Sequence, residues 1–168
     1  DNETIVEALA LIKKNNIPFQ MTFAAAGSDL EKIKNQVAYL GLTDSVVFWG
    51  GVSQNDIPRI LDEHDVYLSA SLRDGASLSL LEAMASGLFP VVSDIQANKD
   101  WIEKDISGYL HKVNNPRDLA NCIARLYAKR EITSRALIQN REKVQKLGDR
   151  ETNMKTLETV YNNIVTNT

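Results

Sequence analysis

The chain has 168 residues, 43% hydrophobic and 24% charged, which describes one ordinary domain around one core and excludes a disordered chain. A net charge of −3 gives no electrostatic footprint for nucleic acid, and no apolar run approaches the ~20 residues needed to cross a bilayer. The acidic, polar opening Asp1-Asn2-Glu3 lacks the basic start of a signal peptide, and Cys122, the single cysteine, permits no internal disulfide, so the expected compartment is the cytoplasm.

Apolar periodicity predicts a helix over residues 2–15, with Ile5, Val6, Leu9 and Ile12 on one face. Phe19, Met21 and Phe23 then alternate as a strand over 19–24, ending in Ala24-Ala25-Ala26-Gly27. Ser28 and Glu31 have capping-box spacing before a helix with the stripe Leu30, Ile33, Val37 and Leu40, stopped at Gly41. Val46-Val47-Phe48-Trp49 is a second strand, closed by Gly50-Gly51 and followed by a short helix over 56–64. Val66-Tyr67-Leu68 is a third strand, residues 77–86 a helix stopped by Gly87, and Phe89-Pro90-Val91-Val92 a fourth strand. Gly108-Tyr109-Leu110-His111 is a short fifth. Asn115 is placed to cap a helix with Pro116 at its first position, and Cys122 reads as a small buried hydrophobe within it. Helices over about 131–146 and 150–165 complete a single domain spanning 1–168.

Five strands separated by helices predict an α/β, doubly wound, Rossmann-like parallel sheet, and continuous apolar strands such as 46–49 suit a sheet covered on both faces. Such sheets bind ligands outside the carboxyl ends of their strands, here the loops 24–28, 49–54, 69–77 and 93–98.

The loop after the third strand, Ser69-Ala70-Ser71-Leu72-Arg73-Asp74-Gly75-Ala76-Ser77, opens into a helix and has the chemistry of an anion site. A glycine lets backbone approach the ligand, and the unpaired amides of a helix start point toward negative charge. The amides of Ala76, Ser77 and Leu78 are candidate donors to a diphosphate, and Glu82, one turn in, is a candidate acceptor for two ribose hydroxyls. Arg73 is within a loop's reach of a phosphate, or is a solvated surface residue. Two simpler readings stand beside these. Ser79 and Glu82 have capping-box spacing, and Asp74-Gly75 is an ordinary turn pair.

The run from Asp74-Gly75-Ala76-Ser77-Leu78 through Glu82-Ala83-Met84-Ala85-Ser86-Gly87 to Pro90-Val91-Val92 resembles the donor-site signature of the retaining glycosyltransferases of family four, which have the GT-B fold. Val47-Phe48-Trp49-Gly50 is similar to the family's stretch near the nucleotide base. Asp65-Val66-Tyr67-Leu68-Ser69-Ala70-Ser71 and the later Asp94-Ile95, Asn98, Trp101-Ile102 and Gly108-Tyr109-Leu110 also follow its pattern.

The resemblance implies a domain that binds a UDP- or GDP-linked sugar and transfers a hexosyl group to a glycan or lipid-linked acceptor, with no cofactor and no metal. It implies that Glu82 binds ribose, that Asp74, shorter by a methylene than the family's Glu, contacts the transferred sugar as the catalytic residue, and that Gly75, Ala76, Ser77 and Leu78 hold the diphosphate or sugar. Gly50 and Arg73 complete the expected donor set. The family's upstream strand, its two basic residues and its acceptor domain are not among residues 1–168. The expectation is therefore a C-terminal half whose first strand is missing, inactive by itself. Residues 19–24 would either pair directly with 66–69 or leave a slot for an upstream strand.

A nucleotide-sugar epimerase of the same fold and a non-catalytic binding or assembly module are the alternatives. His64 and His111 lack metal-ligand spacing and read as surface or hydrogen-bonded histidines. Trp101 is expected to pack on the sheet. Lys129, Arg130, Arg135, Arg141, Lys143 and Lys146, with Glu131 and Glu142 among them, read as a solvated helix face or a peripheral contact with an anionic membrane.

Overall fold

The computed structural model describes residues 1–24 and 26–166, with the side chains of all but 130–133 and 166. Asp1 accepts the Thr4 amide and starts α1 (Asn2–Lys14), which buries Ile5, Val6, Leu9 and Ile12 as the periodicity predicts. Each fully buried aliphatic side chain contributes about 1.5–3 kcal/mol. β1 (Met21–Phe23) is shorter than the predicted strand, and Ala25 at its expected end lies outside the described residues.

The capping box at Ser28 and Glu31 is not formed. Asp29 precedes α2 (Leu30–Tyr39) without a side-chain capping bond, and Glu31 pairs instead with Lys34 at 2.7 Å. Backbone turning places Ser28 one residue too early to reach the first helical amides. Ile33 and Val37 form the buried stripe of α2.

β2 (Val46–Phe48) corrects a second expectation. Val46 is buried, but Val47 and Trp49 are 47% and 40% exposed, so the strand is covered on one face only. β2 stands at a sheet end and pairs with β1 alone. The continuously buried strands lie further on. After α3 (Ile57–Asp62), β3 (Val66–Ser69) and α4 (Leu78–Ser86) comes β4 (Phe89–Ser93), in which all five residues are buried. It is flanked on both edges, by β3 and by β5 (Tyr109–His111), which follows α5 (Gln96–Lys99).

All three strand pairings are parallel, as expected for strands joined by helical crossovers. They form two sheets, β1–β2 and β3–β4–β5. Direct pairing of β1 with β3 does not occur. The sheets are joined by side chains: α1 packs against α6 (Pro116–Ala128) over one core that includes Phe23 and Val46 from one sheet and Phe89, Val91 and Tyr109 from the other. His64, after α3, adds a hydrogen-bond contact to Thr22 of β1 at 2.9 Å.

Asn115 caps α6 as predicted, its Oδ1 accepting the Asp118 amide at 3.0 Å, and Cys122 is buried in that helix. α7 (Arg130–Leu147) and α8 (Arg150–Thr166) follow. The basic face of α7 is only partly solvated. Arg141 Nε donates to Ala85 O at 2.8 Å, and Lys143 Nζ donates to Asp100 O and Trp101 O at 2.9 and 2.8 Å. These cations satisfy carbonyls near the ends of α4 and α5, which attract positive charge. The side chains of Arg130 and Glu131 lie outside the described residues.

Candidate functional site

β3 ends at Ser69, and the buried Ala70 anchors the chain as it leaves the sheet. Arg73, Asp74, Gly75 and Ala76 are exposed, whereas Ser77 turns inward, is buried and occupies the N-cap of α4. Within this turn the Leu78 amide donates to Ala76 O at 2.9 Å. Of the three candidate amides, Leu78's is thus engaged by the chain itself. Its side chain is exposed. Arg73 makes no ion pair among the described residues.

Glu82 is half-buried on α4, one turn in. Its capping-box reading fails on two counts. The helix begins at Ser77 rather than Ser79, and Ser79 Oγ lies 2.7 Å from the hydroxyl of Tyr67 on β3.

Tyr67 is the site residue that sequence reasoning missed. Burial raises the pKa of its phenol; hydrogen bonds with Ser79 and Ser69 oppose that shift, and the negative charges of Asp74 and Glu82 add to it. The available signal was a tyrosine two positions before the end of a strand that leads into the anion loop.

Gly50 stands apart, at the end of β2 in the two-stranded sheet. Its φ of +71° is a conformation glycine adopts without strain, and nothing lies within 4 Å of the position a Cβ would take. The structure thus brings together residues 73–78, Glu82 and Tyr67 on an open ledge, with Gly50 on the neighbouring sheet. Two hollows of about 440 and 470 Å³ lie along α7 and touch none of these residues.

Neither histidine is free on the surface. His64 is half-buried between Ile60 O and Thr22, and His111 is fully buried between Ser69 O and Lys112 O. Trp101 packs against a second core of Leu80, Met84, Val92, Ile102 and Leu110 beneath the ledge. Among the described residues no group of three His, Cys, Asp or Glu side chains is placed to hold a metal ion. No helix among them is long and apolar enough to cross a membrane.

Residues 2–144 match the family described as glycosyl transferases group 1. The amylovoran biosynthesis glycosyltransferase AmsK of Erwinia amylovora is 32% identical over 127 residues, covering 72% of this chain and 31% of its own length. The UDP-Gal:alpha-D-GlcNAc-diphosphoundecaprenol alpha-1,3-galactosyltransferase of Escherichia coli is 30% identical over 127 residues, covering 71% of this chain and 31% of its own. The chain spans about a third of the length of these relatives. Among solved structures, S. aureus TarM, crystallised as its G117R mutant with fondaparinux, alpha-GlcNAc-glycerol and UDP, superposes with a TM-score of 0.83 at 25% identity, covering 95% of this chain and 32% of that one. The parallel α/β architecture is that of the GT-B glycosyltransferases, and the chain belongs to the glycosyl transferases group 1 family.

Proposed function

We propose that this chain binds the nucleotide-diphosphate sugar donor for retaining transfer of a hexosyl group, in the manner of family four. The observation that carries the reading is the exposed loop over residues 73–76 opening at the buried N-cap Ser77 of α4, with Glu82 half-buried one turn in. A helix start and an exposed glycine loop suit a diphosphate, and two carboxylates beside them suit the hydroxyls of ribose and sugar.

In this reading Glu82 accepts from the ribose hydroxyls, and Asp74 accepts from the transferred sugar and orients its anomeric carbon. Gly75, Ala76, Ser77 and Leu78 form the backbone wall of the diphosphate site, with Ala76 and Ser77 as its amide donors. Leu78 contributes an exposed apolar side chain, its amide being engaged by Ala76 O. Arg73 approaches the phosphates and Gly50 the base. Charge building on the departing diphosphate is met by oriented amides and by cations, the form of transition-state stabilisation that needs least reorganisation. No metal takes part. The donor is UDP- or GDP-linked, as the UDP-Gal in the E. coli relative's name and the UDP bound to TarM support. The acceptor is a glycan or a lipid-linked glycan held by a separate N-terminal domain, in a cytoplasmic protein that touches the membrane peripherally.

A panel of nucleotide sugars incubated with the full-length protein tests the reading. Sugar transfer with retention at the anomeric carbon supports it. Epimer formation assigns the site to an epimerase, and binding without turnover to a non-catalytic module. Residues 1–168 alone are expected to bind nucleotide without transferring sugar, because near-attack geometry requires both substrates to be held. Robust transfer by the isolated residues defeats that expectation.

A further inference from the structure

The first amides of a helix have no partner within it, and an N-cap side chain ordinarily accepts from the second or third of them. Asp1 accepts the Thr4 amide in this way at 3.2 Å, Asn115 the Asp118 amide at 3.0 Å and Asp149 the Thr152 amide at 2.8 Å. Ser77 stands at the N-cap of α4 and makes no such bond. It is instead the middle residue of an inverse γ-turn, with φ −81° and ψ 73°, closed by the Leu78 amide donating to Ala76 O at 2.9 Å. No acidic residue occupies the first turn of α4, and the Ser79 hydroxyl is held 2.7 Å from that of Tyr67. Among the described residues, the amides of Ser79 and Leu80 therefore meet neither a capping side chain nor a main-chain carbonyl.

The Ser77 hydroxyl is equally without a partner among the described residues, although the residue is only 4% exposed. Its Oγ is not one of the fully enclosed polar atoms that lack a hydrogen bond, so the sliver of surface that Ser77 keeps includes the hydroxyl. Residues 72–76 before it and 78–79 after it are exposed, and the hydroxyl thus opens onto the ledge. One O–H and two N–H donors gather at the positive end of a nine-residue helix with no acceptor of the chain's own. A place rich in donors and short of acceptors suits an anion.

The geometry points to the Ser77 side chain as a further donor-binding group: left off the helix, its hydroxyl donates to a phosphate oxygen of the nucleoside diphosphate, and that phosphate supplies the missing cap of α4 by accepting the Ser79 and Leu80 amides. This rests on the donor-site reading above, which used only the backbone of Ser77. The cap of α4 arrives with the ligand, so the hydroxyl serves binding and not the unliganded fold.

Titration of the full-length protein with UDP, GDP, uridine and guanosine, beside thermal melting without ligand, decides it. Ser77→Ala is expected to lose about tenfold in affinity for the diphosphate that binds and nothing for its nucleoside, with the melting midpoint unchanged. A lowered midpoint with wild-type affinity makes Ser77 an ordinary cap and overturns the proposal. Equal losses for diphosphate and nucleoside, or no loss, also overturn it while leaving the donor site intact. If midpoint and affinity both fall, a loss confined to the diphosphate supports the proposal and a shared loss overturns it. Should Ser77→Ala not fold, amide NMR of the wild type decides: the Ser79 and Leu80 amide resonances are expected to shift with the diphosphate and not with the nucleoside, and unmoved amides overturn the proposal. If the wild type binds neither diphosphate, the donor reading falls and this inference falls with it.

Discussion

Ser79 shares its hydroxyl with Tyr67, so Glu82 has no capping duty at the start of α4. Glu82→Ala is therefore expected to weaken nucleotide-sugar binding by about 1–3 kcal/mol, the worth of a charge-assisted hydrogen bond, while unfolding free energy changes by less than about 0.5 kcal/mol. Titration calorimetry beside thermal melting separates the two. A destabilised variant with unchanged affinity would remove Glu82 from the ribose site. At the same scale, burial foremost, with Asp118 adding, pushes the Cys122 thiol up to about 11. The thiolate is the reactive form, so Cys122 is expected to resist alkylation at neutral pH until the chain is unfolded, as a thiol titration in the presence and absence of denaturant would show.

Helix starts give a matched pair of tests. Asn115 bonds the Asp118 amide, whereas Asp29 makes no side-chain bond at the head of α2. Asn115→Ala is expected to cost about 1 kcal/mol, and Asp29→Ala to stay within about 0.5 kcal/mol, by urea unfolding. The order and type of every element except the one-turn α5 were legible in the sequence because apolar periodicity and Gly or Pro punctuation agree along most of the chain. Capping was legible at Asn115, where Pro116 fixes the first helical residue, and illegible at Ser28, where spacing alone does not say which residue turns the backbone. The one-sided burial of β2 was hidden because Val47 and Trp49 are apolar yet exposed. The loop at residues 73–78 and Glu82 could be found from local motifs. Tyr67 and His111 could not, since their partners Ser79 and Ser69 lie 12 and 42 residues away. Arg141 and Lys143 were misread for the same reason: a cation that satisfies a distant carbonyl has the same local sequence as one in water.

Across the whole molecule, α8 contributes no buried residue among those whose side chains are described, although Met154, Leu157, Tyr161 and Ile164 recur at helical spacing. Ending the chain after Asp149 is expected to leave stability within about 0.5 kcal/mol, because no core side chain is removed. A larger shift in the urea midpoint would show that α8 supports the fold. The division into two sheets was partly legible. A sheet order that places β1 and β3 on either side of an absent strand predicts the observed pairings, but not that side-chain packing alone would join the halves.

That packing has a consequence for how the protein is made. The apolar face of α1 is closed by α6, about a hundred residues later in the chain. At roughly 5–20 residues per second on the ribosome, Ile5, Val6, Leu9 and Ile12 wait on the order of ten seconds for their partner helix. Throughout that interval the nascent chain presents an uncovered apolar helix, the surface a holding chaperone recognises, and the β1–β2 sheet gains its permanent cover only when Leu119 and Cys122 have left the exit tunnel.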